Sequence, residues 1–123
     1  MSIKTAILEK NQGNEVDKSE YTNLIMDDMP INNISDEDKS FLEGFIECEY
    51  LSLNGTNLKS LVNLPKMPKL QRLELQDNGI EKGLDFVAAA YPDLRTLKLS
   101  GNSISDLSEI KYLSKSELAR HHK

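Results

Sequence analysis

Leu70-Gln-Arg-Leu73-Glu-Leu75-Gln-Asp-Asn78-Gly-Ile80 and Leu94-Arg-Thr-Leu97-Lys-Leu99-Ser-Gly-Asn102-Ser-Ile104 are two copies of one eleven-residue pattern, 24 residues apart. Both read LxxLxLxxNx(L/I). The fourth and sixth positions, Leu73 with Leu75 and Leu97 with Leu99, have the period of a strand and point to one side. The first and last apolar positions join them. One unit is too small to bury that face alone, so neighbours must stack into a continuous core. Asn78 and Asn102 fall where the chain turns away from the strand. A buried amide there serves backbone groups that the turn leaves unpaired. Contact with a ligand is the other use of an amide at that place.

A short strand and tight turn at this period are the signature of a leucine-rich repeat. The fold class that follows is α/β: a right-handed solenoid with a parallel concave sheet, and helices and turns on the convex side. The reading is one domain over 1–123, with an N-terminal cap at 1–20. Repeats follow at about 21–47, 48–69, 70–93 and 94–116, before an irregular or truncated end at 117–123. Leu24, Met26, Met29 and Ile31 make a degenerate first unit, with Met where Asn is expected. In the second unit Cys48 takes the first Leu place and Thr56 the Asn place, so Cys48 reads as a small buried hydrophobe.

Between these units, residues 2–10 predict a short helix with Ile3, Ile7 and Leu8 on one face, shielding the N-terminal end of the stack. Ser35 reads as an N-cap, with acids in the first turn of a helix that buries Phe41, Leu42, Phe45 and Ile46. The same acids after Ser35 fit an acid-directed kinase site. Pro65 and Pro68 predict turns, whereas Leu84–Ala90 predicts a helix stopped before Pro92. A further short helix is expected over 106–113. No LxL follows it, so the last strand would keep an open edge. Either the chain continues, or its tail caps irregularly, or that end pairs with another molecule, self-association included.

Composition narrows the function. Residues 1–50 carry four Lys against twelve Asp or Glu, a net −8, while residues 51–123 carry a net +3. An acidic half attracts basic protein partners and argues against direct nucleic-acid binding; a solvated face is the plain alternative. The one cysteine excludes an internal disulfide framework. Residues 1–20 lack the pattern of a signal peptide, and no apolar run is long enough to span a membrane. The expectation is a protein of the cytoplasm or nucleus without membrane attachment. An enzyme reading finds no glycine-rich phosphate loop, no metal-ligand spacing and no His outside the tail residues His121 and His122. No cofactor, no metal and no catalytic residue is expected.

Function therefore falls to the concave face, which the third, fifth, seventh and eighth positions of each unit should form. They are Asn23, Ile25, Asp27 and Asp28; Tyr50, Ser52, Asn54 and Gly55; Arg72, Glu74, Gln76 and Asp77; Thr96, Lys98, Ser100 and Gly101. The fifth-position column runs Ile25, Ser52, Glu74, Lys98. Glu74 beside Lys98, or Arg72 near Thr96, reads as a cross-strand pair. Ile25 and Tyr50 stand out as large side chains on a polar sheet.

Several longer motifs are shared with one family. NLPK at 63–66, LELQDNGI at 73–80 followed by Gly83-Leu84, and YPDLRTLKLSGNSISDL at 91–107 are similar to the acidic leucine-rich nuclear phosphoprotein 32 family. LIMDDM at 24–29 and FLEGFIECEYLSLN at 41–54 fit the same order, and the likeness covers about residues 20–113. It implies a phosphoprotein of nucleus and cytoplasm that binds histones, inhibits protein phosphatase 2A, and acts in transcription and messenger RNA export. The family's last repeat, its cap and its long acidic tail are absent from this sequence. The alternative is a spliceosomal adaptor of the same repeat class that clasps an RNA-binding protein.

Overall fold

The computed structural model describes residues 2–104. Four three-residue strands form one parallel sheet: β1 (Asn23–Ile25), β2 (Tyr50–Ser52), β3 (Arg72–Glu74) and β4 (Thr96–Lys98), in that spatial order. Sequential order and parallel pairing are what stacked repeats produce. The register is uniform. Leu24, Leu51, Leu73 and Leu97 lie side by side, as do Asn23, Tyr50, Arg72 and Thr96, and Ile25, Ser52, Glu74 and Lys98. The α/β leucine-rich-repeat solenoid expected from the two pattern copies is the architecture seen.

Behind the sheet runs one core. It extends from Ile3 and Ile7 through Leu24, Leu51, Leu73 and Leu97 to Leu99. Cys48 is fully buried within it, and burial pushes its thiol up to about 11, which leaves no thiolate for chemistry near neutral pH.

Helix α1 (Ile3–Lys10) begins at Ser2, whose hydroxyl accepts the Thr5 N–H. It buries Ile3, Ala6 and Ile7, while Leu8 is only half-buried, one position off the expected face. Helix α2 (Asp36–Glu43) begins at Ser35, whose Oγ accepts the Asp38 N–H at 3.1 Å. Phe41, Leu42 and Phe45 are buried, but Ile46 is 53% exposed, against expectation. The helix ends at Glu43 with Gly44 as its cap, so the helical period that placed Ile46 inside no longer applies there.

Two contacts tie the N-terminal cap to the first repeat. The buried Asp38 carboxylate accepts the Ile3 N–H at 2.9 Å and the Lys4 N–H at 3.0 Å, which caps α1 from α2. Lys18, in a 3-10 turn at Lys18–Glu20, donates its ammonium to the Phe41 carbonyl at 2.9 Å. It also lies 4.1 Å from the Phe41 ring centroid. That places a cation at the C-terminal end of α2, whose last turn has no basic residue of its own.

The segment between β2 and β3 forms turns, as its prolines predict. Helix α3 (Leu84–Ala90) fills the convex side between β3 and β4 and stops before Pro92. The helix expected over 106–113 and the tail with His121 and His122 lie outside the described residues.

Candidate interaction face

Three side-chain ladders run across the repeats, and they decide which concave residues are free. The first is made by the ninth positions. Asn78 donates to the carbonyls of Leu53 (3.0 Å), Leu75 (3.1 Å) and Gln76 (3.2 Å), and its Oδ1 accepts the N–H groups of Thr56 (2.9 Å) and Leu58 (3.0 Å). Asn102 repeats this one unit on, donating to Leu75 and Leu99 and accepting the Ile80 N–H. Thr56, lacking an amide, donates to the Leu53 carbonyl of its own turn. These asparagines are structural: they satisfy backbone groups of two adjacent turns.

The second ladder is made by the seventh positions and runs the other way. Asp27 accepts the backbone N–H of Asn54 at 2.9 Å, and Asn54 accepts that of Gln76 at 2.7 Å. Gln76 then donates to the Ser100 hydroxyl.

The third is at the eighth positions. Asp28, Gly55, Asp77 and Gly101 all have a left-handed backbone, with φ between 58° and 79°. Each Asp carboxylate lies over the glycine of the next repeat, where a Cβ would collide with it. Gly55 and Gly101 are thus required twice, by φ and by space.

A network crosses the middle of the face. Glu74 accepts from the Tyr50 hydroxyl (3.0 Å), the Asn54 amide (2.9 Å) and the Arg72 Nε (2.7 Å). Asn54 also donates to Ser52, whose hydroxyl donates to Asp27. Burial alone raises the Glu74 carboxyl. Hydrogen bonds from Asn54, Arg72 and Tyr50 outweigh it and hold the group below the usual carboxylate range. Burial and the Glu74 bond push the Tyr50 hydroxyl up. Arg72 lies 5.6 Å from the Tyr50 ring centroid.

The expected face is therefore corrected in part. Ser52 is fully buried and Glu74 nearly so; both serve the network and offer no contact surface. Glu74 pairs with Arg72 on its own strand, with Asn54 and with Tyr50, not with Lys98; the Lys98 ammonium has no partner among the described residues. Asp27, Asn54 and Gln76 point where expected but are occupied by the second ladder. Asn23, Ile25, Asp28, Arg72 and Asp77 are exposed, and Tyr50, Thr96, Lys98 and Ser100 are half-exposed. Ile25 stays 51% open on this polar sheet.

Sequence reasoning missed a second exposed apolar place. Val62 and Phe86 are 51% and 41% exposed on the convex side. With Leu64 and Ala89 they line a cavity of about 230 Å³ flanked by Lys39 and Lys66. The signal was an apolar residue out of register beside Leu61.

A family model described as Leucine Rich repeats (2 copies) matches residues 68–112. Over that segment the chain is similar to leucine-rich-repeat proteins. The match covers the two complete pattern copies. The structure carries the same leucine-rich-repeat geometry back through β2 and β1, where Thr56 and Met29 replace the asparagine. Leucine-rich-repeat domains are typically interaction modules, and the curved sheet is the surface that such solenoids offer to other proteins.

Proposed function

We propose that this chain is the non-catalytic interaction module of a regulator of nucleus and cytoplasm, docking basic protein surfaces on its concave face. Histones and protein phosphatase 2A, implied by the resemblance to the acidic leucine-rich nuclear phosphoprotein 32 family, are the partners to test first. Roles in transcription or messenger RNA export would follow from that binding. The observation that carries the reading is the hydrogen-bonded chain from Asp27 through Ser52 and Asn54 to Glu74, which holds Tyr50 and Arg72 in place. A face ordered before docking loses little side-chain entropy on binding. Asp28 and Asp77 add exposed negative charge beside it. Glu74 is held ionised and fully bonded, which suits a structural anion and not a general acid.

The test is binding of the full chain to an H3–H4 histone tetramer and to the phosphatase catalytic subunit, at two salt concentrations. Tyr50→Ala should weaken binding roughly tenfold or more, as truncated aromatic anchors do. Asp28→Asn with Asp77→Asn keeps residues that tolerate a left-handed backbone but removes two charges, and should flatten the salt dependence. Binding that ignores all three substitutions would refute the reading.

A further inference from the structure

The N-terminal edge of the sheet is open. β1 is the outermost strand on that side, and α1, which packs on α2, lies across a groove from it. The backbone bonds of β1 to β2 alternate: Tyr50 donates to the Thr22 carbonyl, Met26 to that of Ser52, and Asp28 to that of Asn54. Thr22, Leu24 and Met26 therefore face β2, and Asn23 and Ile25 turn their N–H and C=O groups outward. Among the described residues those four groups have no hydrogen-bond partner. Beside them lies a groove of about 160 Å³ whose walls include Ile7, Tyr21, Leu24 and Ile25. Outward main-chain groups next to an apolar slot are what an added strand needs: hydrogen bonds along the edge, and a pocket for alternate side chains.

The electrostatics name the occupant. Glu20 precedes the edge and Asp27 and Asp28 follow it, against Lys10 as the one cation lining the groove among the described residues. The whole of residues 1–50 is net −8. A second copy would bring the same acidic surface to the edge and be repelled.

We propose that β1 is a docking edge for an extended basic peptide, which adds a fifth strand and seats an apolar side chain in the groove. The edge site shares Ile25 with the concave face but engages the outward main chain of β1, whereas Tyr50 belongs to the concave face alone; neither proposal needs the other.

The probe is a fluorescent six-residue peptide alternating Lys and Val, titrated into the full chain by anisotropy. Two control peptides accompany it, one with alternate amides N-methylated and one with Glu for Lys. The peptide should bind. Methylation of the set of amides that faces the edge, and the Glu exchange, should each weaken binding at least tenfold. Amide exchange at Asn23 and Ile25 should slow on binding. Ile25→Pro removes one outward N–H, which an edge strand tolerates, and should weaken binding similarly. Ile25→Lys, at an exposed site, serves as the second variant and should weaken binding of the basic peptide as well. Tyr50→Ala should leave this binding intact, which separates failure here from failure of the concave-face reading. No binding, binding indifferent to methylation and to both Ile25 variants, or protection of Asn23 and Ile25 in the peptide-free protein, whether monomer or dimer, would overturn the proposal.

Discussion

Asn78 shows why a single side chain governs two turns. Its amide satisfies three carbonyls and two backbone N–H groups from adjacent repeats. Asn78→Ala leaves several of these unpaired, and each unpaired buried group costs about 1–3 kcal/mol. A loss of at least about 2 kcal/mol in a urea melt is expected on that basis. Tyr91 is the opposite case. Its hydroxyl is buried without a partner among the described residues, and burial pushes its pKa far up. Tyr91→Phe should be neutral or stabilising by up to about 1 kcal/mol in the same assay. Glu74 carries the pH dependence. Its folded pKa is depressed, so its contribution is present above the usual carboxylate range and is lost as pH falls through the lower folded value. Glu43, held down by the Lys66 N–H despite its own desolvation, acts in the same direction. Stability should drop as pH falls from about 5 to about 3, and Glu74→Gln should make that drop shallower. The role of the asparagines was readable from their position in the pattern. The partners of Glu74 were not. The pattern places side chains on a face but does not say which neighbour a long side chain will choose.

α1 and α2 are joined through Asp38. It sits in the first turn of its own helix and accepts two N–H groups from the first turn of the other. Asp38→Ala should cost about 1–3 kcal/mol for the unpaired donors. It should also speed amide exchange across residues 3–7 more than in the strands. Uniform acceleration everywhere would instead assign Asp38 to the core as a whole. Both helices were legible from the apolar spacing that marks their faces, and Ser35 marked the start of α2; the Ser2 cap of α1 is a finding of the structure. The link between them joins residues about 35 apart, a separation that no local pattern spans. Lys18 was invisible for the same reason. It completes the C-terminal end of a helix to which it does not belong. Ile46 was misplaced because the helical period was extended past Gly44, where the helix ends.

Across the stack, the leucine columns fix the register, and the register fixes everything presented on the sheet. That is why the concave columns could be written from spacing alone, in the order in which the strands pair. Which members of those columns stay available depends on the ladders. They occupy Asn54 and Gln76, the network around Glu74 takes Ser52 and Glu74 itself, and Ile25, Tyr50 and Arg72 are left toward solvent. The charge division between the two parts of the chain survives as an acidic N-terminal end, and this favours basic partners there. The most direct measurement is hydroxyl-radical footprinting of the full chain with and without an H3–H4 histone tetramer, read at single side chains. Protection of Ile25 and Tyr50, with Val62 and Phe86 unchanged, is the predicted result. Protection of Val62 and Phe86 with the concave residues unchanged would contradict it.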